Sequence, residues 1–301
     1  MLEYRAEGLC RNANHLSREE LSRCMASGEV LQSTALAYDT GHRLRFELGG
    51  LRGIMPFADC VDAAPGETVK DIAVLTRVGR PTCFVIMGTE FDDNGEEYYL
   101  LSRAEAQRRC RAQYLDTLEA GSVIPCTVTH IENFGAFCDI GCGASGLLGL
   151  RNLCVSRLTH PGDLLRVGQR LPVLIQSLDP ARRRVALTLQ ELLGTWEENA
   201  ARFRPGQSVP GVVCGKTDYG VFIALTPNLC GLAERDDTLE PGQPVCVYIK
   251  AIHPETLKLK LTVLHRLDTV PSQPLRFTKT EGRLDVWRYG SREHAKNVTV
   301  F

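Results

Sequence analysis

The later part of the chain repeats one pattern twice. The first half of residues 119–190 matches residues 206–233 when it is moved forward by 85 positions, and this alignment pairs Gly135 with Gly220. The second half of the segment matches again at an offset of 74, so one loop, near residues 152–167, is 11 residues shorter in the second copy. Internal repeats of this kind indicate tandem domains rather than one continuous fold.

Residues near the glycine of each copy alternate between the two faces of a strand. In the first copy Ala136, Cys138 and Ile140 share one face, and Phe137 lies on the other. The second copy has the same alternation, with Phe222 opposite its apolar residues. Both copies therefore place an aromatic ring on the polar face. Five short strands broken by Gly and Pro turns predict a small antiparallel Greek-key barrel of the OB type.

Four short motifs make this pattern specific. They are G-S-V at 121–123, N-F-G-A-F at 133–137, G-L-L at 146–148 and D-P-A-R-R-R-V-A-L at 179–187. Together they resemble the S1-type RNA-binding domain, which is named for a bacterial small-subunit ribosomal protein. The resemblance covers most of the chain, and it implies barrels of five antiparallel strands that bind RNA.

A weaker copy precedes these two. Gly28 and Gly53 correspond to Gly121 and Gly146 at an offset of 93, although strand parity requires a local shift of one residue between them. The sequence Asp-Asn-Gly at 93–95 predicts a hairpin turn ahead of an apolar strand. This degenerate copy has no aromatic pair like that of the other two, so we assign it to protein contacts or structure rather than to RNA.

Three capping signals predict short helices between the strands. Ser17 begins a capping box ahead of the first copy, and Ser102 caps a helix that we expect to reach about Leu118. Thr195 begins a second spacer helix. We interpret Trp196, at the start of that helix, as a packing residue rather than a platform for bases.

The predicted fold is therefore all-β with short helical spacers, and it contains three tandem S1-type OB-fold barrels of which the first is degenerate. The predicted parts are an N-terminal helical segment at 1–27, barrel one at 28–102, a spacer at 103–118, barrel two at 119–190, a spacer at 191–204, barrel three at 205–264 and a C-terminal tail at 265–301. Within the tail, residues 275–280 and 283–289 suggest a hairpin.

Composition is that of a globular chain. Its 301 residues are 44% hydrophobic and 24% charged, which suits two or three domains with cores of their own. No apolar run approaches the roughly 20 residues that span a bilayer, and residues 1–20 are too polar for a secretory signal. We therefore expect a cytoplasmic protein with no membrane partner.

Charge is unevenly distributed although the net charge is only −1. Residues 28–101 contain 6 Lys and Arg against 12 Asp and Glu, whereas the remainder contains 29 against 24. An acidic surface repels phosphate and a basic one attracts it. The two parts are therefore expected to meet different partners. We also expect residues 1–101 to lack surface aromatics. The resemblance to the ribosomal family implies that this end of the chain contacts the small ribosomal subunit, and the acidic charge favours a protein of that subunit over its RNA.

The 12 cysteines include no C-x-x-C pair. Cys138, Cys142 and Cys154 form the tightest cluster, but no histidine follows at the spacing of a zinc finger. We expect the cysteines to be reduced core residues. The sequence predicts neither a metal site nor a cofactor.

The resemblance also implies which residues hold RNA. Single-stranded RNA is bound by aromatic faces on which bases stack, worth about 1–3 kcal/mol per base, and by cations that follow the phosphates. The implied stacking residues are Phe134 and Phe137 in barrel two and Tyr219 and Phe222 in barrel three. The implied corner between strands four and five holds Asp179 with Arg183 or Arg184 in barrel two, and Lys258 in barrel three. A core position for these rings is the alternative reading.

Both copies depart from the family pattern. Gly149 and Glu234 stand where the family has a histidine, and in barrel three His253 and Lys258 replace the corner Asp and Arg. Because Glu234 places an acid near the phosphate path, we expect barrel three to bind more weakly than barrel two.

Two functions of different classes fit these observations. The first is a non-enzymatic protein, resembling ribosomal protein S1, that holds messenger RNA in translation through barrels two and three. The second is a protein-interaction adaptor of the ribosome or of RNA metabolism, with barrels that are mainly structural. No phosphate-cradling Gly-Lys loop and no paired His and carboxylate motif is present, so no catalytic residue is predicted.

Overall fold

The computed structural model describes residues 4–64, 66–269, 274–290 and 297–301. Its helices are α1 Arg18–Ser27, α2 Asp71–Leu75, α3 Arg103–Gln113 and α4 Trp196–Ala200. Its strands are β1 Arg11–Asn12, β2 Leu31–Thr34, β3 Ala37–Tyr38, β4 Arg43–Leu48, β5 Leu51–Pro56, β6 Pro81–Phe91, β7 Glu97–Ser102, β8 Val123–Glu132, β9 Gly135–Asp139, β10 Ser145–Gly149, β11 Arg170–Asp179, β12 Arg184–Thr188, β13 Ser208–Thr217, β14 Gly220–Thr226, β15 Leu229–Ala233, β16 Pro244–His253, β17 Lys258–Arg266, β18 Val286–Arg288 and β19 Val298–Val300. None of the helices in these ranges is long and apolar enough to cross a membrane.

Strand pairing confirms the predicted fold. Barrel two closes in the order β10-β12-β11-β8-β9, and barrel three closes in the order β13-β14-β15-β17-β16. The first copy is a seven-stranded sheet in the order β1-β2-β6-β7-β5-β4-β3. Its first OB strand is divided, since β2 pairs with β6 and β3 pairs with β4. The first copy is therefore degenerate, as expected.

The repeated glycine has the same structural role in both barrels. A Cβ atom on Gly135 would lie 2.6 Å from the carbonyl oxygen of Leu148, and one on Gly220 would lie 2.4 Å from that of Ala233. Both distances are too short for any side chain. The two acceptors are themselves related by the 85-residue offset, so the sequence repeat reflects the same close approach between the second and third strands.

Contacts between residues group the chain into two units. The first contains Met1–Glu119, Asp139–Gly146 and Asp179–Arg184, and the second contains the rest. The domain boundaries that we drew from the sequence stay a prediction.

Helix α1 seals the core of the first unit. The capping box at Ser17 forms, with the Ser17 side chain accepting from the amide of Glu20, and Gly28 ends the helix in the left-handed conformation. Leu21 and Cys24 are buried in a core that includes Phe46. The predicted helix is confirmed, and it covers the apolar face of the sheet.

A buried ion cluster links distant parts of the first unit. The Glu7 side chain is 9% exposed; its carboxylate accepts from Arg103 Nε at 2.6 Å and from Arg77 Nη1 at 2.5 Å. Arg103, which is 4% exposed, also donates to the carbonyl oxygen of Cys60. Burial alone would raise the pKa of Glu7, but the charges of Arg103 and Arg77 outweigh it and hold that pKa below its usual range. The ionised cluster therefore fixes residues far apart in sequence.

Asn228 has the corresponding role in the second unit. It is fully buried, and its Nδ2 donates to the carbonyl oxygens of Gln190 and Gly194, both at 2.7 Å. Its Oδ1 accepts from the amide of Val155 at 3.0 Å, and its carbonyl oxygen accepts from the Tyr289 hydroxyl at 2.7 Å. The side chain and the backbone carbonyl of this one residue therefore join the long loop of barrel two, the spacer, barrel three and the tail.

Trp196 belongs to the core of barrel three. It is 2% exposed and packs in the cluster that includes Val213 and Ile223. The capping box of Thr195 starts its helix, and the Trp196 amide donates to the carbonyl oxygen of Tyr289 at 2.7 Å. The interpretation of Trp196 as a packing residue is confirmed.

The hairpin predicted in the tail was wrong in its pairing. Residues 275–280 form no strand, and β18 pairs instead with β19, beyond the undescribed residues 291–296. The segment just before β18 pairs with the start of barrel two, where the Leu284 amide donates to the carbonyl oxygen of Gly121 at 2.8 Å. Phe277, Leu284 and Phe301 pack there against a small buried cluster. The tail therefore pairs with barrel two, which offers backbone hydrogen-bonding groups and an apolar surface, rather than forming the predicted hairpin with itself.

Replacing Arg103 with leucine tests the ion cluster. Since Glu7 would remain buried with one of its two cations missing, we expect the free energy of unfolding to fall by about 3–5 kcal/mol. Arg108 on the same helix is the matched control, because it is exposed and, among the residues that the structure describes, its ion pair is with Glu105. Leucine at position 108 should cost less than about 1 kcal/mol. Urea unfolding measured by circular dichroism compares the two, and equal losses would contradict the assignment.

Candidate nucleic-acid interface

Barrel two presents a group of three rings. Phe134 lies in the turn before β9 and is 58% exposed, while Phe137 on β9 is half-buried. Their ring centroids are 6.1 Å apart and the rings are perpendicular. His130 on β8 stacks beside Phe137 at 6.4 Å with an interplanar angle of 26°. The side chains of Ala136 and Cys138 are buried in the core, as the alternation of strand residues predicts.

Barrel three repeats the pair with the same geometry. Tyr219 is 68% exposed and Phe222 is half-buried. Their centroids lie 6.2 Å apart with an interplanar angle of 85°. Val221 and Ile223 are buried on the opposite face. Neither pair is a core pair, so each barrel offers exposed ring surface at the end of the same two strands.

The structure separates the two corner arginines of barrel two. Arg183 adopts the left-handed conformation, and its Nη1 lies 2.8 Å from the Asp62 carboxylate and donates to the carbonyl oxygens of Asp62 and Ala63. It is therefore held within the first unit and does not point to solvent as an RNA ligand would. Arg184 is exposed and has no ion pair among the described residues. Of the two arginines predicted at this corner, Arg184 is the one whose guanidinium is free to contact a ligand.

The other corner positions differ in role. The Asp179 carboxylate accepts from the Arg182 amide at 3.0 Å and lies 4.0 Å from the Arg182 guanidinium, so it stabilises the turn. Lys258 is exposed at the start of β17 and is the counterpart of Arg184 at the 74-residue offset. Leu257 has a positive φ of 54°, as Arg183 has one of 52°. The two corners therefore share one backbone turn.

One cation near the rings of barrel three was missed by the sequence reasoning. Phe222 on β14 is opposite Leu232 on β15, and Leu232 is opposite Lys260 on β17. Lys260 is exposed on the same side as Lys258. The alternation Lys-Leu-Lys-Leu at 258–261 was the available signal, but only the strand order places Lys260 in one row with Phe222.

The acid expected to weaken barrel three is itself paired. The Glu234 carboxylate accepts from Lys250 Nζ at 2.9 Å, and both side chains are exposed. An exposed ion pair is weak, yet it reduces the field that Glu234 exerts on a nearby phosphate. At the matching position of barrel two, Gly149 carries no charge, and a Cβ there would meet Nδ2 of Asn152 at 3.8 Å.

The first sheet does expose an aromatic residue, contrary to expectation. Phe91 at the end of β6 is 69% exposed. Its cross-strand partner is Glu97, and the neighbouring Tyr98 hydroxyl donates to Glu90 at 2.6 Å. The ring therefore stands among acids, which does not suit RNA. The exposure of Phe91 could not be predicted from the alternation of apolar and polar residues in β6, because Phe91 lies at the end of that strand, beyond its buried part.

The cysteines of the tight cluster are core residues. Cys138, Cys142 and Cys154 are buried, and burial raises the pKa of the Cys154 thiol to about 12. Within the described ranges, no three or more His, Cys, Asp or Glu side chains are arranged to hold a metal ion.

Comparison with known proteins agrees with the geometry. Residues 117–190 match the family model of the S1 RNA binding domain. The chain is 27% identical over 237 residues to the small ribosomal subunit protein bS1 homolog of Bacillus subtilis, covering 74% of this chain and 59% of the relative. It is 30% identical over 203 residues to bS1 of Staphylococcus aureus, covering 62% and 52%. With bS1 of Rhizobium meliloti it shares 28% over 177 residues, covering 54% and 31%.

The chain thus spans between about a third and three fifths of the length of these relatives. A solved multidomain protein with nucleic acid binding domains from Streptococcus pneumoniae aligns with 79% of this chain and 73% of its own at 14% identity, with a TM-score of 0.27. That score is too low to support an argument about arrangement. The sequence matches agree with the strand order of the barrels: residues 117–190 match the S1 RNA binding domain, and the chain is similar to the bS1 relatives over 54% to 74% of its length.

Proposed function

We propose that barrels two and three hold single-stranded RNA, without an enzymatic step, and that this RNA is messenger RNA in translation. The observation that carries the proposal is the exposed ring pair repeated in both barrels, with centroids 6.1 and 6.2 Å apart. Perpendicular exposed rings beside cations are the surfaces on which single-stranded RNA stacks. The relatives named as small-subunit proteins support the setting.

Binding on these surfaces needs little sequence preference. Every base has a π-face that can stack on a ring, and Arg184 and Lys258 would contact phosphates, which carry no sequence information. The side chain of Asn228 joins the loop of barrel two to barrel three, so both ring pairs belong to one unit. A strand bound at one pair would then meet the second at high effective concentration.

The adaptor reading applies best to residues 1–101, which we propose as the part that docks on a protein of the small subunit in the cytoplasm. The exposed apolar side chains there include Leu36 at 58%, Ile72 at 61%, Leu75 at 43% and Val78 at 38%. A bridge between Ala35 and Val78 brings two of these segments together. Exposed apolar surface in an acidic region suits a protein partner better than RNA.

The first prediction is that the full chain binds an unstructured RNA oligonucleotide and that its affinity falls steeply between about 50 and about 200 mM salt. The physical reason is the release of counterions when cations contact phosphates. Fluorescence anisotropy measures it, and an uncharged peptide nucleic acid of the same bases is the control. Equal, salt-independent binding of both probes, or none, would favour the adaptor.

A second prediction concerns the unequal barrels. Phe134→Ala with Phe137→Ala should cost roughly 2–6 kcal/mol of RNA binding if both rings stack, and more than Tyr219→Ala with Phe222→Ala. His130 adds a third ring in barrel two, which supports that order. Phe91→Ala, at an exposed ring outside both barrels, is the control and should change nothing. A larger loss from barrel three, with circular dichroism unchanged, would refute the order.

A third prediction tests docking by surface substitution in the full chain. Deleting residues 1–101 would remove contacts of segment 139–146 within the same unit, so point variants are cleaner. Leu36→Asp with Ile72→Asp should reduce cosedimentation with small ribosomal subunits stripped of messenger RNA, and should leave RNA binding intact. Leu264→Asp, at a residue 51% exposed in barrel three, is the control. Cosedimentation unchanged in the double variant would contradict the docking surface.

A further inference from the structure

Two lysines of barrel three stand free beside its ring pair. Lys258 and Lys260 lie two residues apart on β17, are both exposed, and have no ion-pair partner among the described residues. Lys260 shares a row with Leu232 and Phe222 across three hydrogen-bonded strands. Since neighbouring strands lie about 4.8 Å apart, Lys260 is about 10 Å from Phe222 along the row. A lysine side chain can bridge most of that distance to the phosphate of a nucleotide stacked on Phe222.

The other lysines of this barrel are already engaged. Lys216 Nζ lies 2.9 Å from the Glu240 carboxylate, and Lys250 Nζ lies 2.9 Å from that of Glu234. Removal of either lysine would leave an unpaired acid rather than a lost phosphate contact. Lys216 and Lys250 are exposed lysines of the same barrel that, unlike Lys260, are paired with an acid, and they therefore provide a comparison of equal charge.

Barrel two has no cation at the position that corresponds to Lys260. The counterpart of Lys260 at the 74-residue offset is Ala186, which is half-buried on β12. Arg183 is bound to Asp62, so Arg184 is the exposed arginine of this corner without an ion pair in the described chain. The aromatic rings of the two ring groups are distributed the other way, with three in barrel two and two in barrel three. The counterpart of His130 at the 85-residue offset is Gly215, so barrel three has no third ring.

We propose that Lys260 binds RNA phosphate, and that barrel three supplies most of the ionic contact while barrel two supplies most of the stacking. This inference rests on the proposed function. Cations that contact phosphates release counterions and so set the salt dependence of binding, whereas stacking on a ring carries no such dependence. The two barrels therefore contribute separable parts of one interaction with a single-stranded RNA.

The salt slope of RNA binding by the full chain tests the division. Each phosphate contact to a single strand contributes about 0.7 to the slope of log K against log salt. Lys260→Ala should lower the slope by about 0.7, and Lys258→Ala with Lys260→Ala by about 1.4. Lys216→Ala with Lys250→Ala carries the same change in charge and should leave the slope unchanged. Phe134→Ala with Phe137→Ala should weaken binding equally at every salt concentration.

A gain of contact completes the experiment. Ala186→Lys should give barrel two the missing cation and steepen the slope by about 0.7. All variants are exposed or half-buried, and circular dichroism verifies that they fold. A slope unchanged by Lys260→Ala, or lowered as much by the control pair, overturns this inference while the proposed function stands. If the unmodified chain shows no salt-sensitive RNA binding, the proposed function itself fails.

Discussion

The buried amide of Asn228 is the interaction on which the second unit depends. The side-chain amide is satisfied only when the loop of barrel two and the spacer meet barrel three, and the backbone carbonyl oxygen of the same residue accepts from Tyr289 of the tail. Any other arrangement would leave buried donors and acceptors without partners, at about 1–3 kcal/mol for each. A rigid tandem of barrels follows, and it gives the two ring pairs fixed positions in one body rather than the freedom of domains on a flexible linker.

Internal ion pairs decide which charges remain for a ligand. Glu7 engages Arg103 and Arg77, and Asp62 engages Arg183, so arginines that would make the chain look basic are held inside the first unit. Net charge is therefore a poor guide to this protein's partners. Charges that are paired inside the protein exert little field on a phosphate outside, so exposed and unpaired cations such as Lys258 and Lys260 bear more on ligand binding than the net charge does.

The two complete barrels show how one fold yields unequal surfaces. Gly135 and Gly220 make the same close approach to the next strand, so the backbone of both copies is held alike. The solvent-facing positions carry no such steric requirement. The two copies differ there, as between Ala186 and Lys260 or between His130 and Gly215, and such differences change the side chains offered to solvent without disturbing the core. A repeat can therefore distribute stacking and ionic contact between its copies.

The sequence by itself determined the repeat, the strand alternation, the helix caps and the positions of both ring pairs, because each depends on neighbours within a few residues or on spacing along the chain. Only the tertiary structure decided that Arg183 is bound to Asp62, that Lys260 stands in line with Phe222, that Phe91 is exposed and that residues near Leu284 pair with Gly121. These outcomes depend on which distant segments meet, and local patterns do not encode the identity of a partner that lies tens of residues, or more than a hundred, away along the chain.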